Sequence, residues 1–109
     1  MFARLWFFGL AGALVCGAAP ATLADKQLAE RVGCFSCHKA DRAGTGPSFQ
    51  DIAARYRGYD ATRDKLIEIV KHGGKGQWTP VTNGAPMPPF SPRMSDKDIE
   101  KLVDWIRSQ

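Results

Sequence analysis

The sequence predicts an all-α fold of about four helices in one small domain. In several segments apolar side chains recur three and four residues apart, which is the spacing of a helix face. No segment alternates apolar and polar residues as a half-buried strand does. At 109 residues, with 44% hydrophobic and 24% charged positions, the chain has the size and composition of a single globular domain.

The first 24 residues differ from the rest of the chain. Arg4 is the only charge among them, and an apolar run and then small residues follow it. This order is typical of a secretory signal peptide. We therefore predict a signal peptide over residues 1–24, cleaved after Ala24, and an exported, periplasmic domain over residues 25–109. The alternative is an uncleaved membrane anchor, because residues 5–24 carry no charge over nearly the length that a bilayer requires.

The charge of the predicted mature domain argues against two classes of partner. Arg4 is the only one of the 15 basic residues lost with the signal, so 14 basic and 11 acidic residues remain, a net charge of +3. Charges of both signs are interspersed and form no basic stripe, which argues against nucleic-acid binding. We expect no nucleic-acid partner and no stable membrane insertion after cleavage.

The first two predicted helices lie on either side of a glycine-rich loop. The first covers residues 25–32, where Leu28 and Val32 share a face and Gly33 can adopt the positive φ that ends a helix. The second has apolar residues at positions i, i+3, i+4 and i+7. These are Phe49, Ile52, Ala53 and Tyr56.

The other two predicted helices flank a loop rich in proline and glycine. The third runs from about Ala61 to His72 and stops at Gly73-Gly74. Residues 73–93 contain four Gly and five Pro, too many for regular structure, and predict a fixed, backbone-rich loop. The last helix begins after Ser95, with Asp98 completing a start that resembles a capping box. Its apolar stripe is Ile99, Leu102, Val103 and Ile106.

The motif Cys34-Phe35-Ser36-Cys37-His38 follows the first predicted helix. Two cysteines three residues apart can bond to the two vinyl groups of a haem, and the adjacent histidine then reaches the iron. A redox dithiol or half of a zinc site is the alternative, but the chain has no β-α-β pattern here and no second Cys or His pair. The motif predicts one covalent haem c, which would also complete the core of a domain this small.

A sixth iron ligand is expected from the proline-rich loop. Met87 lies between Pro86 and Pro88, whose rings stiffen the backbone, and a thioether is a common axial ligand of haem c. Met94, just before the Ser95 cap, and His72, at a helix end, are the competitors. The alternative role of Met87 is to fill a gap in the core.

Taken together these residues resemble the class I cytochromes c, in particular the small bacterial periplasmic ones that carry single electrons. The resemblance covers nearly the whole mature chain and is carried by the CXXCH motif, a closing amphipathic helix and three short segments. These are Gly46-Pro47, Gly76-Gln77-Trp78 and Pro86-Met87-Pro88-Pro89.

The resemblance implies a cytochrome c fold in which Cys34 and Cys37 hold the haem and His38 and Met87 ligate its iron. It also implies that the carbonyl of Pro47 accepts a hydrogen bond from the ring of His38. Trp78 would donate its indole N–H to a haem propionate, although a plain core tryptophan is the alternative.

Two features depart from the pattern of the small class I cytochromes c. The connection from Trp78 to Met87 is longer by residues 79–84, in which Asn83-Gly84 predicts a turn. Phe90 stands where those proteins often have asparagine, so a polar contact to the methionine loop is expected to be absent.

The function implied is that of a periplasmic one-electron carrier and not an enzyme. Its redox donors and acceptors would dock transiently at the haem edge. Candidate rim residues are Lys39, Lys71, Lys75 and Arg93. One alternative is the haem subunit of a larger periplasmic dehydrogenase, for example a sulfite-oxidising one, which requires an apolar patch around the haem. The other is a sensor or enzyme with an open iron site, which requires that Met87 does not ligate.

Overall fold

The computed structural model describes residues 21–109, together with Gly9 and residues 11–13. Most of the predicted signal peptide lies outside these residues, and its cleavage stays a prediction. The described helices are α1 (Ala21–Arg31), α2 (Phe49–Tyr56), α3 (Asp60–His72), α4 (Thr79–Thr82) and α5 (Asp96–Arg107), with a 3-10 turn over Cys34–Ser36. In this part of the chain extended pairing is limited to two isolated bridges, so the all-α prediction is confirmed.

Helix α1 begins before the predicted cleavage site. The sequence predicts a start at Asp25, whereas the helix starts at Ala21 and ends at Arg31. Residues 21–24 contain neither Gly nor Pro, so nothing in their backbone chemistry stops a helix there. Gly33 has a φ of 90°, as predicted for the residue that ends this segment.

No helix of the described residues is long and apolar enough to cross a membrane.

Helices α2 and α5 begin with the same kind of cap. The hydroxyl of Ser95 accepts a hydrogen bond from the backbone N–H of Asp98 at 3.1 Å, so the predicted cap is present. The hydroxyl of Ser48 accepts one from the N–H of Asp51 at 3.0 Å. This second cap was not predicted, although Ser48 and Asp51 have the same spacing.

Helix α5 forms the centre of the core and packs against α1, α2 and α3. Its apolar stripe is buried as predicted, and burying a side chain of this size stabilises the fold by about 1.5–3 kcal/mol. The largest side chains with almost no exposed surface are Phe49, Ile99, Leu102 and Val103.

The loop that follows α3 contains one element that the sequence prediction excluded. Residues 73–93 were predicted to lack regular structure, but Thr79–Thr82 form the single-turn helix α4. Pro80 lies in the first turn, where its missing N–H has no helical partner to lose. The predicted turn is present, with φ angles of 52° at Asn83 and 79° at Gly84.

Backbone hydrogen bonds attach this loop to the end of α3. Gly74 and Met87 exchange two of them, each 2.9 Å long. The N–H of Phe90 donates to the carbonyl of Val70 at 3.2 Å, and that of Ser91 to Lys71 at 3.1 Å. Because the last carbonyls of a helix have no partner within it, the loop satisfies acceptors that α3 leaves free.

The ion pair between Arg63 and Asp104 joins α3 to α5. Arg63 donates to both carboxylate oxygens of Asp104, at 2.7 and 3.1 Å. The hydrogen bond from Arg63 holds the pKa of Asp104 below its ordinary value of 3.8. A carboxyl group whose pKa is lowered by folding stabilises the fold above that ordinary value and loses this contribution as the pH falls.

We therefore expect Asp104→Asn to lower the free energy of unfolding at neutral pH by roughly 0.5 kcal/mol, as is usual for an exposed ion pair. The difference from the unchanged protein should vanish as the pH falls through and below 3.8. Urea unfolding at neutral and acidic pH measures both quantities. The control is Asp41→Asn, because the ion pair that the Asp41 carboxylate forms in the described chain is with its neighbour Arg42. A difference that persists undiminished in acid contradicts this account.

Candidate functional site

An open cavity of about 310 Å³ lies between α2, α3, α5 and the loop after α3. This volume falls in the range of small-molecule and cofactor sites. The residues predicted for the site all line this cavity. They are Cys34, Cys37, His38, Pro47, Trp78 and Met87. The rest of the lining is mainly apolar and comes from the buried faces of α2, α3 and α5 and from the loops beside them.

The turn that carries the two cysteines is closed by its own backbone. The carbonyl of Cys34 accepts hydrogen bonds from the N–H groups of Cys37, at 3.3 Å, and His38, at 3.0 Å. The two sulfur atoms are not joined in a disulfide, and both cysteines are half-buried. Burial raises the pKa of Cys34 to about 11, so this thiol stays protonated at neutral pH. The reactive cysteine of a redox dithiol has a lowered pKa instead, which argues against that alternative.

The zinc alternative also finds no support in the part of the chain that the structure describes. There, no group of three or more His, Cys, Asp or Glu side chains is placed to hold a metal ion.

His38 is held in one tautomer. Its Nδ1 lies 2.7 Å from the carbonyl oxygen of Pro47, which can only accept, so Nδ1 carries the proton. The other nitrogen, Nε2, therefore has a free lone pair, the form in which histidine binds a metal. Burial lowers the pKa of His38, and the contact with Pro47 opposes this only in part, so the ring is neutral at neutral pH.

Two glycines allow the chain to approach the histidine. The N–H of Gly46 donates to the carbonyl of Cys37 at 2.8 Å, and a Cβ at Gly46 would lie 2.5 Å from Cε1 of His38. A Cβ at Gly44 would lie 2.7 Å from the same Cys37 carbonyl. Side chains at either position would push the loop away from the histidine.

Met87 lines the cavity on the loop after α3 and is half-buried. Its competitors lie elsewhere. Met94 is buried in the core and does not line the cavity. His72 is exposed and lies 3.0 Å from Glu68 in an i, i+4 pair. Gly73 must stay small, because a Cβ there would meet the carbonyl of Met87 and lie 2.8 Å from the carbonyl carbon of Pro88.

Trp78 is half-buried and lines the cavity mouth. The guanidinium of Arg55 lies 5.0 Å from the centre of its ring and donates to the side-chain oxygen of Gln77. Sequence reasoning missed Arg55, because residues 55 and 78 are far apart in the chain and no local pattern joins them.

The predicted rim cations differ in their surroundings. Lys75 lines the cavity, as does Lys65, which was not predicted. Lys39 donates to the carbonyl of Phe35 at 2.8 Å, and Lys71 lies 3.3 Å from Asp96. Arg93 lies over the ring of Phe90, 5.5 Å from its centre.

These groups fit a haem. Two thiols, a neutral imidazole and a thioether border a mainly apolar cavity, and no carboxylate is among its described lining residues. A helical domain with this cavity and this CXXCH segment defines a small c-type haem protein.

Comparison with known proteins agrees with the assignment as a small c-type haem protein. The family model for cytochrome c matches residues 23–109. Cytochrome c-551 of Allochromatium vinosum is 44% identical over 88 residues, covering 81% of this chain and 88% of the relative. Cytochrome c-552 of Hydrogenobacter thermophilus is 37% identical over 94 residues, covering 86% and 90%. The crystal structure of wild-type Nitrosomonas europaea cytochrome c552 matches with a TM-score of 0.66 at 35% identity, covering 76% of this chain and 96% of that one.

The chain therefore belongs to the cytochrome c family. This membership confirms the predicted cytochrome c fold. It also confirms the prediction that the chain is an electron-transfer protein and not an enzyme. It also confirms one covalently bound haem c with its iron, and Cys34 and Cys37 stand at the two cysteine positions of the CXXCH motif.

Gly46→Ala is expected to reduce haem incorporation and to lower stability by about 1–3 kcal/mol, because the added methyl group overpacks the ring of His38. Haem absorbance per protein and thermal unfolding measure the two effects. The matched control is Gly58→Ala, where φ is 106° but nothing lies within 4 Å of an added Cβ. That variant should lose roughly 1–2 kcal/mol through backbone strain and retain the haem. Equal haem content in the two variants contradicts this interpretation.

Proposed function

We propose that this chain is a periplasmic one-electron carrier whose haem c is bonded to Cys34 and Cys37 and ligated by His38 and Met87. One observation carries the proposal: both candidate ligands line the same apolar cavity, and each is fixed by a backbone contact. Nδ1 of His38 is held by the carbonyl of Pro47. The backbone of Met87 is fixed by Gly74.

The haem supplies a couple between ferric and ferrous iron, and the protein fixes the groups around it. Rigid ligands suit fast electron transfer, because the site then has little to rearrange when one electron arrives or leaves. The hydrogen bond to Pro47 holds Nε2 of His38 in the unprotonated form in which it binds metal. The two backbone hydrogen bonds between Met87 and Gly74 fix the backbone from which the thioether side chain extends.

The cavity lining favours the reduced state. Apolar side chains from α2, α3 and α5 surround the site, and a low-dielectric environment disfavours the extra positive charge of the ferric form. Thioether ligation acts in the same direction. At the mouth, the half-buried indole of Trp78 is proposed to donate its N–H to a haem propionate.

Redox partners are proposed to dock at the mouth of the cavity. Lys65 and Lys75 are the cationic side chains among the described lining residues, and neither forms an ion pair within the described chain. Encounter with an anionic partner surface would therefore be faster at low salt.

The distribution of exposed apolar side chains favours a free carrier over the haem subunit of a dehydrogenase. Beyond the predicted signal, the exposed large hydrophobic residues of the described chain are Tyr59 and Val81, on two different segments. Only Val81 belongs to a segment that lines the cavity. A permanent interface requires a larger contiguous apolar patch. An open-site sensor is disfavoured because Met87 is held at the cavity.

Periplasmic location rests on the predicted signal over residues 1–24 and on the haem-attachment motif.

Met87→Ala is expected to abolish the long-wavelength charge-transfer band of methionine-ligated ferric haem and to lower the reduction potential, while the haem stays attached. Visible spectroscopy and a redox titration of the exported protein measure both changes. Met94→Leu is the control, because Met94 is buried outside the cavity, and it should retain the band. If the unchanged protein lacks the band, or Met87→Ala retains it, Met87 is not the ligand.

A further inference from the structure

We propose that Phe49 is a positioning residue that sets the plane of the His38 ring, in addition to the hydrogen bond that the ring donates to the Pro47 carbonyl. The proposal rests on the proposed function, in which His38 ligates the iron. Phe49 was predicted only as part of the apolar face of α2.

The two rings pack against each other. Their centres lie 5.4 Å apart and their planes differ by 31°. Phe49 is 1% exposed and lines the cavity, and its packing against the rings of Phe35 and Trp105 restrains its own ring. A flat, immobile surface at this distance limits the orientations that the imidazole can adopt.

The hydrogen bond alone does not fix the ring. It restrains one atom, Nδ1, at 2.7 Å from the Pro47 carbonyl, whereas the orientation of the imidazole depends on two side-chain torsions. Gly46 limits the ring near Cε1 by the close approach of its backbone. The ring of Phe49 supplies the extended surface that removes the remaining rotation.

Phe49 is itself held from both ends. Its backbone N–H donates to the carbonyl of Lys39 at 2.8 Å, and that of Gln50 to Ala40 at 3.1 Å, which ties the start of α2 to the residues just after His38. Its ring lies 5.0 Å from the ring of Trp105 on α5, in an edge-on arrangement. The position of His38 is therefore tied to the central helix through one aromatic side chain.

The orientation of the imidazole plane matters for an iron ligand. It would decide which of the iron orbitals overlaps with the π electrons of the ring and, together with the orientation of the thioether, the distribution of unpaired spin in the ferric state. A ring released from Phe49 would therefore change the magnetic signature of the site even with the iron–nitrogen bond intact.

The test compares Phe49→Leu with Phe35→Leu in the holoprotein. Phe35 belongs to the same cluster, 5.2 Å from Phe49 and 6.1 Å from Trp105, but has no ring pairing with His38 in the described chain. Proton NMR of the ferric protein measures the paramagnetic shifts of the haem methyl groups, and thermal unfolding measures stability. Phe49→Leu should change the order or spread of the methyl shifts, whereas Phe35→Leu should lower stability and keep the wild-type pattern.

Two further variants keep the test decisive. Phe49→Tyr retains the ring and should retain the wild-type methyl pattern. If Phe49→Leu does not yield folded holoprotein, Phe49→Met fills the space without a flat face and should change the pattern. An unchanged pattern in the variant without the ring, or an equal change in Phe35→Leu, overturns the positioning role.

Failure of the underlying function is recognised separately. His38 ligation is checked in the unchanged protein by the strongly shifted ring protons of an iron-bound histidine. Absence of those signals contradicts the ligand assignment itself, whatever the Phe49 variants do.

Discussion

The hydrogen bond between the His38 ring and the Pro47 carbonyl is the constraint around which the first half of the domain is arranged. It requires the chain to return to the histidine within nine residues. The returning backbone passes so close to Cys37 and His38 that positions 44 and 46 have no space for a side chain and are glycine. The amide groups that begin α2 then bond to carbonyls beside the histidine. The first amides of a helix have no partner within it, so these hydrogen bonds satisfy the N-terminus of α2. The same hydrogen bonds hold the backbone beside the candidate ligand His38 in place.

In the second half of the domain, the C-terminal end of a helix holds the candidate ligand in place. There the free carbonyls at the end of α3 accept hydrogen bonds from the loop that bears Met87. The two candidate ligands are thus attached to the start of one helix and the end of another, and α5 packs against both helices. The hydrogen bonds at the helix termini are directional and set the geometry of the site. The apolar helix faces enclose the site through hydrophobic burial, which is not directional.

Local chemistry explains what the sequence predicted and what it did not. The CXXCH motif, the Ser95 cap and the periodic faces of α2 and α5 are patterns within a few residues. The cavity residues could be predicted because a resemblance linked them. Contacts between distant positions, such as Arg55 over Trp78 or Phe49 against His38, have no local signature. Helix α4 was missed because a proline in a first turn reads as a break unless its position in the helix is known.

The two hydrogen bonds between Gly74 and Met87 close a chain segment that contains α4. The entropy cost of closing a flexible loop grows only with the logarithm of its length, by about 0.6 kcal/mol per doubling. Extra residues between Trp78 and Met87 therefore weaken the attachment of Met87 very little. A change in the length of this segment would therefore alter the surface beside the cavity at little cost in stability, while the candidate ligand Met87 stays in register with α3.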